Sequence, residues 1–360
     1  MNRKLVKILP LVLVLCIMCG CAKDDQHENM PSAVDDIFSH SETTSQTEPA
    51  PENVTVSDGN QGADQDLGSL SHGFSNTETD DNGRYVNYQG GELEITYKLK
   101  GTGQIAENGI GLLLFLDGQP QTYRVANGEE YSYLHTLYPD AEKAEITLYL
   151  TPTAGKQGDT LELYAFAILD PDFYPTKGEA IGHKHTFGAL FTNTLRVNFE
   201  ADAPSAAMLD CPKVYQSCEI TVVDLGSVDT SGKTQEDLNN NIYAAVNIAY
   251  EPMDYTYLYE VTSDSEIRVE LEVYGCTEAE YGVVFFIDNQ PISTDPAEYI
   301  YVQPKLGKKC TAAITMQIPD FDGSAVLYGV LIPRNRAEIM HYADCEPISF
   351  DTLYLTSEAG

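Results

Sequence analysis

The stretch Gly111-Leu112-Leu113-Leu114-Phe115-Leu116-Asp117-Gly118-Gln119-Pro120 returns later in the chain as Gly282-Val283-Val284-Phe285-Phe286-Ile287-Asp288-Asn289-Gln290-Pro291. Each begins with an unbroken apolar run, long enough to cross the middle of a sheet. Each then reaches Asp-Gly or Asp-Asn, residues that tolerate the positive φ angles of a two-residue hairpin turn. Blocks on either side repeat in the same order. Leu93–Gly101 matches Ile267–Gly275, and both alternate apolar and polar residues, the period of a strand with one buried face. Ile146–Leu150 matches Ile314–Ile318, Leu161–Leu169 matches Ala325–Ile332 with Tyr164 and Tyr328 shared, and Thr194–Val197 matches Thr352–Leu355. Five blocks in one order indicate an internal duplication.

Further strands are expected at Arg84–Tyr88 and Tyr257–Val261, and hairpin partners at Gln121–Val125 and Tyr299–Val302. No helical periodicity intervenes. Seven short strands per copy predict an all-β chain, two tandem sandwiches that resemble the immunoglobulin-like (Ig-like) architecture. The Cys…Trp…Cys core of antibody domains is absent, since the chain has no Trp. The expected layout is a signal peptide at 1–20, a lipidated amino terminus and disordered acidic linker at 21–80, and sandwich repeats at 81–203 and 204–360. The stretch Met208–Met253 has no counterpart in the first copy, and its apolar runs at Lys213–Leu225 and Ile242–Tyr250 add two strands to the second.

Charge narrows the function classes. There are 21 Lys and Arg against 55 Asp and Glu, a net charge of −34. A nucleic-acid backbone would repel such a chain, and a basic patch for anionic lipid is equally disfavoured. The segment from Ala22 to Asp80 holds 13 acids against Lys23 alone, and Phe38 and Phe74 are its only aromatics. It has little to bury, so it is read as a solvated tether with a span of roughly 40–45 Å. The sequon Asn53-Val54-Thr55 is discounted in a chain with the leader described next.

The first twenty residues carry Arg3, Lys4 and Lys7 and no acid, followed by an apolar run from Ile8 to Met18. That run is too short for a comfortable span and suits a secretory signal. It ends in Met18-Cys19-Gly20-Cys21, which resembles the lipobox of bacterial lipoproteins, although Leu is more usual where Met18 stands. The resemblance implies that Cys21 is the lipid-bearing first residue of the mature chain. It implies attachment at the extracytoplasmic face of the cell membrane, where two or more acyl chains make a durable anchor.

Candidate chemistry in the rest of the chain is sparse. Cys211, Cys218, Cys276, Cys310 and Cys345 all lie in the second copy, an odd number with no CxxC spacing; Cys211 and Cys218 are the first pair to consider. His183-Lys184-His185 lies in a long connection with Asp170, Asp172 and Glu179, types that can ligate a metal, but solvated loop histidines are the simpler account. The corresponding connection, Pro333–Glu346, keeps His341 but carries Arg334 and Arg336, which argues against a duplicated catalytic site. Asp170-Pro171-Asp172 and Asp320-Phe321-Asp322-Gly323 lack the acidic spacing of a calcium loop and read as turns. Tyr255-Thr256-Tyr257-Leu258-Tyr259 and Tyr299-Ile300-Tyr301 suit strands packing across a sheet more simply than a sugar-stacking platform.

No nucleophile elbow, P-loop, HExxH or SxxK motif is present. No catalytic, cofactor or metal site is assigned. The expected role is a non-enzymatic binding or assembly module for an envelope protein, a peptide or a wall polymer, held to the membrane by its lipids. An accessory part of an extracellular carbohydrate-active hydrolase, or a weak hydrolase, is the alternative.

Overall fold

A computed structural model describes residues 53–55, 68–126, 128, 130–139, 145–174, 192–204, 216–219, 243–248, 258–261, 266–274, 280–292, 294–295, 300–303, 308–321, 323–334, 347–349 and 353–357. The first copy begins with β1 (Asn53–Thr55), β2 (Ser69–Ser75), β3 (Glu78–Asp80), β4 (Gly83–Tyr88) and β5 (Leu93–Gly101). A one-turn helix, α1 (Gly103–Asn108), leads to β6 (Ile110–Leu116), β7 (Gln119–Gln121), β8 (Tyr123–Val125) and β9 (Leu134–Leu137). It ends with β10 (Glu145–Leu150), β11 (Thr160–Leu169) and β12 (Thr192–Phe199).

The second copy holds β13 (Gln216–Glu219), β14 (Tyr243–Ile248), β15 (Leu258–Val261), β16 (Glu266–Tyr274), β17 (Tyr281–Ile287) and β18 (Gln290–Pro291). Then come β19 (Thr294–Asp295), β20 (Ile300–Val302), β21 (Lys308–Gln317), β22 (Ser324–Pro333), β23 (Ile348–Ser349) and β24 (Leu353–Ser357). The protein is all-β apart from α1 among the described residues. None of their helices is long and apolar enough to cross a membrane.

Four sheets result. One runs β1-β2-β5-β10-β8 and another β3-β4-β12-β11-β6-β7, with β9 also on β6. In the second copy one runs β13-β21-β16-β14 with β19 on β21, and the other β15-β24-β22-β17-β18 with β20 on β17 and β23 on β22. In the first copy a sheet built on β2, β5 and β10 faces one built on β6, β11 and β12, and in the second a sheet built on β14, β16 and β21 faces one built on β17, β22 and β24. That is the Ig-like strand order, extended on one side by the short strand after the hairpin turn. The strands β4 and β15 add to β12 and β24 in parallel.

Alternation explains how each sandwich closes. Along β5 the residues Leu93, Ile95, Tyr97 and Leu99 are buried while Glu94, Lys98 and Lys100 are exposed. They meet Leu112, Leu114, Leu116, Leu163, Leu195 and Val197 from the facing sheet in one apolar core. In the second copy Ile267, Val269, Leu271 and Val273 of β16 meet Val283, Phe285, Leu327 and Leu355 in the same way. The turns after β6 and β17 are of the expected hairpin kind, with φ of 49° and 77° at Asp117 and Gly118 and 48° and 65° at Asp288 and Asn289.

Three expectations need correction. Ser69–Ser75 and Glu78–Asp80, which composition assigns to the linker, are strands, and Leu70 and Phe74 are buried in the first core. Strand β2 pairs with β5 as β14 pairs with β16, so part of the supposedly unmatched stretch Met208–Met253 does have a counterpart. The stretch Gln121–Val125 is not one hairpin partner. Gln121 ends β7, which pairs β6, whereas β8 crosses to pair β10 in the other sheet. The partner of β17 at Ile300–Val302 corresponds instead to β9.

Candidate functional site

The strands with no alternation are apolar on both sides because both sides are covered. In β6 and β11, Leu112, Leu114, Leu163 and Ala165 face the first core, while Leu113, Phe115, Tyr164, Phe166 and Ile168 belong to a third cluster. That cluster also takes Val284, Phe286, Val326, Tyr328, Val330, Ile332 and Tyr354 from the second copy. The two sandwiches therefore share a core. At its centre the equivalent residues Phe115 and Phe286 meet edge to face at 5.9 Å, and Phe286 stacks on Tyr328 at 5.1 Å. The approach is close enough that a Cβ on Gly282 would lie 2.7 Å from the Gly118 carbonyl oxygen.

Polar groups gather at the two seams of this shared core, and backbone hydrogen bonds establish which residues correspond. The Asp117 amide donates to the Glu162 carbonyl and the Asp288 amide to the Val326 carbonyl, so Asp117 and Asp288 are equivalent. The Asp170 amide donates to Gly109 and the Arg334 amide to Glu280, so Asp170 stands where Arg334 stands.

At the first seam Arg334 crosses between the copies. Its Nη2 donates to Asp117 Oδ2 at 2.9 Å, its Nε to the Asp117 carbonyl at 3.2 Å and its Nη1 to Glu280 Oε1 at 3.3 Å. The guanidinium lies 3.9 Å above the Tyr301 ring, a cation–π arrangement. Burial works against its charge, but Asp117, Tyr301 and Glu280 outweigh that and hold its proton more firmly than usual. Gln119 Nε2, in turn, donates to the Tyr301 hydroxyl at 3.5 Å.

The second seam has the opposite chemistry. Asp288 Oδ1 accepts the Val326 amide at 2.9 Å and the Tyr174 hydroxyl at 3.3 Å. Burial nevertheless raises its carboxyl above the ordinary range, and the Tyr174 hydroxyl is pushed up to about 12 by burial and by Asp288. Tyr328 donates to Asn289 Oδ1 at 2.9 Å, and Phe173 meets Tyr354 edge to face at 6.4 Å. Nearby, Asn108 donates to Asp170 and Thr136 to Asp172, each at 3.2 Å. Among the described residues no lysine or arginine forms an ion pair with Asp288 or Asp172.

Of the residues singled out in the sequence, Cys21, Cys211, Cys276, Cys345, His183, His185, His341, Tyr255 and Tyr299 lie outside the described residues. Cys310 is buried, and its Sγ donates to the Gln303 carbonyl at 3.8 Å. Cys218 sits opposite Lys309, one position out of register with Cys310. Tyr301 is buried beneath Arg334 and offers no platform. Among the described residues no group of three or more His, Cys, Asp or Glu is placed to hold a metal.

Sequence reading missed Asp117, Asp288 and Arg334 as a set. The usable signal was the hairpin Asp in both copies, together with the change from Asp170 to Arg334 at matched strand ends. A separate surface group, Glu92 with Arg124 and Tyr131, is an exposed ion pair in which Arg124 lies 4.1 Å over Tyr149.

No protein-family model matches the chain, and no curated protein does. Among solved structures, the chain is similar to the C-terminal domain of the Streptococcus agalactiae AgI/II polypeptide BspA, at 8% identity and a TM-score of 0.20, covering 79% of this chain and 100% of that one. It is also similar to the Clostridium thermocellum CbhA fibronectin(III)-like modules, at 8% identity and 0.20, covering 79% and 93%. A Porphyromonas gingivalis W83 protein matches at 9% identity and 0.19, covering 80% and 99%. Likeness at this level transfers no property to this chain.

Proposed function

We propose that the protein is a lipid-anchored, extracytoplasmic binding or assembly module that presents two fused sandwiches at the end of an acidic tether. The anchor rests on Met18-Cys19-Gly20-Cys21, with Cys21 as the acylated residue. The binding role rests chiefly on the seam chemistry. Side chains of the two copies meet in ion-pair and hydrogen-bond geometry at the seams of a shared core, and polar groups of this kind at the ends of strands are where such a scaffold carries function. A partner is an envelope protein, a peptide or a wall polymer; the acidity of the chain disfavours nucleic acid.

Two measurements test this. Metabolic labelling with a fatty-acid analogue is expected to mark the chain and to be lost in Cys21→Ser; undiminished labelling would refute the anchor. Cross-linking from intact cells is expected to capture a partner with the full chain. Capture no greater than with an unrelated anchored protein would refute the binding role.

A further inference from the structure

The outermost strand of the first sandwich comes from the acidic segment that leads into it. Strand β1 pairs antiparallel with β2, setting Asn53 opposite Ser71, Val54 opposite Leu70 and Thr55 opposite Ser69. Ser69 turns its backbone toward the β5 side: its amide donates to Thr102 Oγ1 and its carbonyl accepts the Thr102 amide, each at 3.0 Å. Strand alternation then points the Leu70 amide and carbonyl the other way, toward Val54. The backbone pairing of β1 thus centres on Val54 and Leu70. Farther along the same edge the Phe74 carbonyl accepts Arg84 Nη1 at 3.0 Å, so a side chain closes part of the edge that β1 does not reach. Strand β2 itself is held from its other side by register with β5 from Leu70 to Ser75, and its Leu70 and Phe74 are buried in the core.

We infer that β1 is a releasable clasp that sets how far the two sandwiches stand from the membrane. The inference rests on the lipid-anchor reading, which puts Cys21 at the bilayer and the acidic tether between it and the sandwiches. With β1 docked, about 32 residues separate Cys21 from Asn53; with β1 released, about 48 separate it from Ser69. As tethers these span roughly 31 Å and roughly 38 Å. Under load, the additional stretch of about 16 residues extends the reach by up to about 50 Å. Acids stand on both sides of β1, at Glu48 and Glu52 before it and at Asp58, Asp64 and Asp66 after it, with no Lys or Arg between Lys23 and Arg84. Their mutual repulsion works against folding this segment back on the sheet. A three-residue edge strand therefore opens before the core does.

The test uses the full lipidated chain on a supported bilayer. Neutron reflectometry reads the distance of the folded layer from the membrane, and amide hydrogen exchange reads the clasp. Val54→Pro removes the amide that faces Leu70. In this variant the Leu70 amide is expected to exchange at least tenfold faster, with the amides of β6 unchanged. The folded layer is expected to move outward by about 7 Å. Ser57→Pro, which stiffens the chain outside β1, is expected to leave both readings as in the wild type. Unchanged exchange at Leu70 would overturn the clasp, as would faster exchange in β6, which would make β1 an integral part of the core. An unmoved layer, or equal movement in Ser57→Pro, would overturn its role in reach. If the wild type forms no layer while Leu70 still responds to Val54→Pro, the anchor reading fails and the inference falls with it.

Discussion

Replacing Phe286 by Ala removes the side chain at the centre of the shared core. Phe286 is fully buried, stacks on Tyr328 and meets Phe115 of the other copy edge to face. Burial on that scale makes Phe→Ala cost about 3–5 kcal/mol, transfer and cavity together. At roughly 2 °C per kcal/mol for a chain of this size, the thermal midpoint falls by about 6–10 °C. Phe286 belongs to the second copy, yet the lost contacts lie partly on the first. Calorimetry of the full chain is therefore expected to show one endotherm that moves as a whole. Two endotherms, of which only one moves, would refute the shared core, as would a loss below about 1 kcal/mol.

Three further outcomes follow from the same geometry. Gly282→Ala puts a methyl 2.7 Å from the Gly118 carbonyl oxygen, so a loss of about 1–3 kcal/mol in urea denaturation is expected; a neutral result would mean the copies do not approach so closely. Arg334→Ala strips Asp117 and Glu280 of their cation in a half-buried place, between the surface and buried limits for ion pairs, so about 2 kcal/mol is expected by the same assay. Asp288 has a carboxyl raised by burial, so the folded chain binds that proton more readily than the unfolded one. Its contribution to stability is thus most unfavourable at neutral pH and improves as pH falls through the raised folded value toward the ordinary 3.8. The stability difference between wild type and Asp288→Asn is expected to shift in favour of wild type between pH 7 and pH 4; a difference that does not change with pH would contradict this.

The strands and turns were largely legible because their signals are local. The alternation in β5 and β16 and the Asp-Gly and Asp-Asn turns need only neighbouring residues. The continuous runs in β6 and β17 carried a further message, that both faces are covered, but not what covers the second face. Strand β2 escaped because Ser69-Leu70-Ser71-His72-Gly73-Phe74-Ser75 alternates with only two strongly apolar residues and follows a long polar segment. With β2 missed, β14 had no visible counterpart. The seams were illegible for a different reason. Arg334 and Asp117 are 217 positions apart, and only the packing of one sheet on the other brings them together.

The claim on which the rest depends is that the two copies share one core and open as one unit. Native-state hydrogen exchange under increasing urea tests it most directly, by comparing amides of β6 and β11 with those of β17 and β22. The shared core predicts that the most protected amides of both pairs converge on the same opening free energy and the same urea dependence. Protection in one pair that persists unchanged while the other opens independently would contradict it.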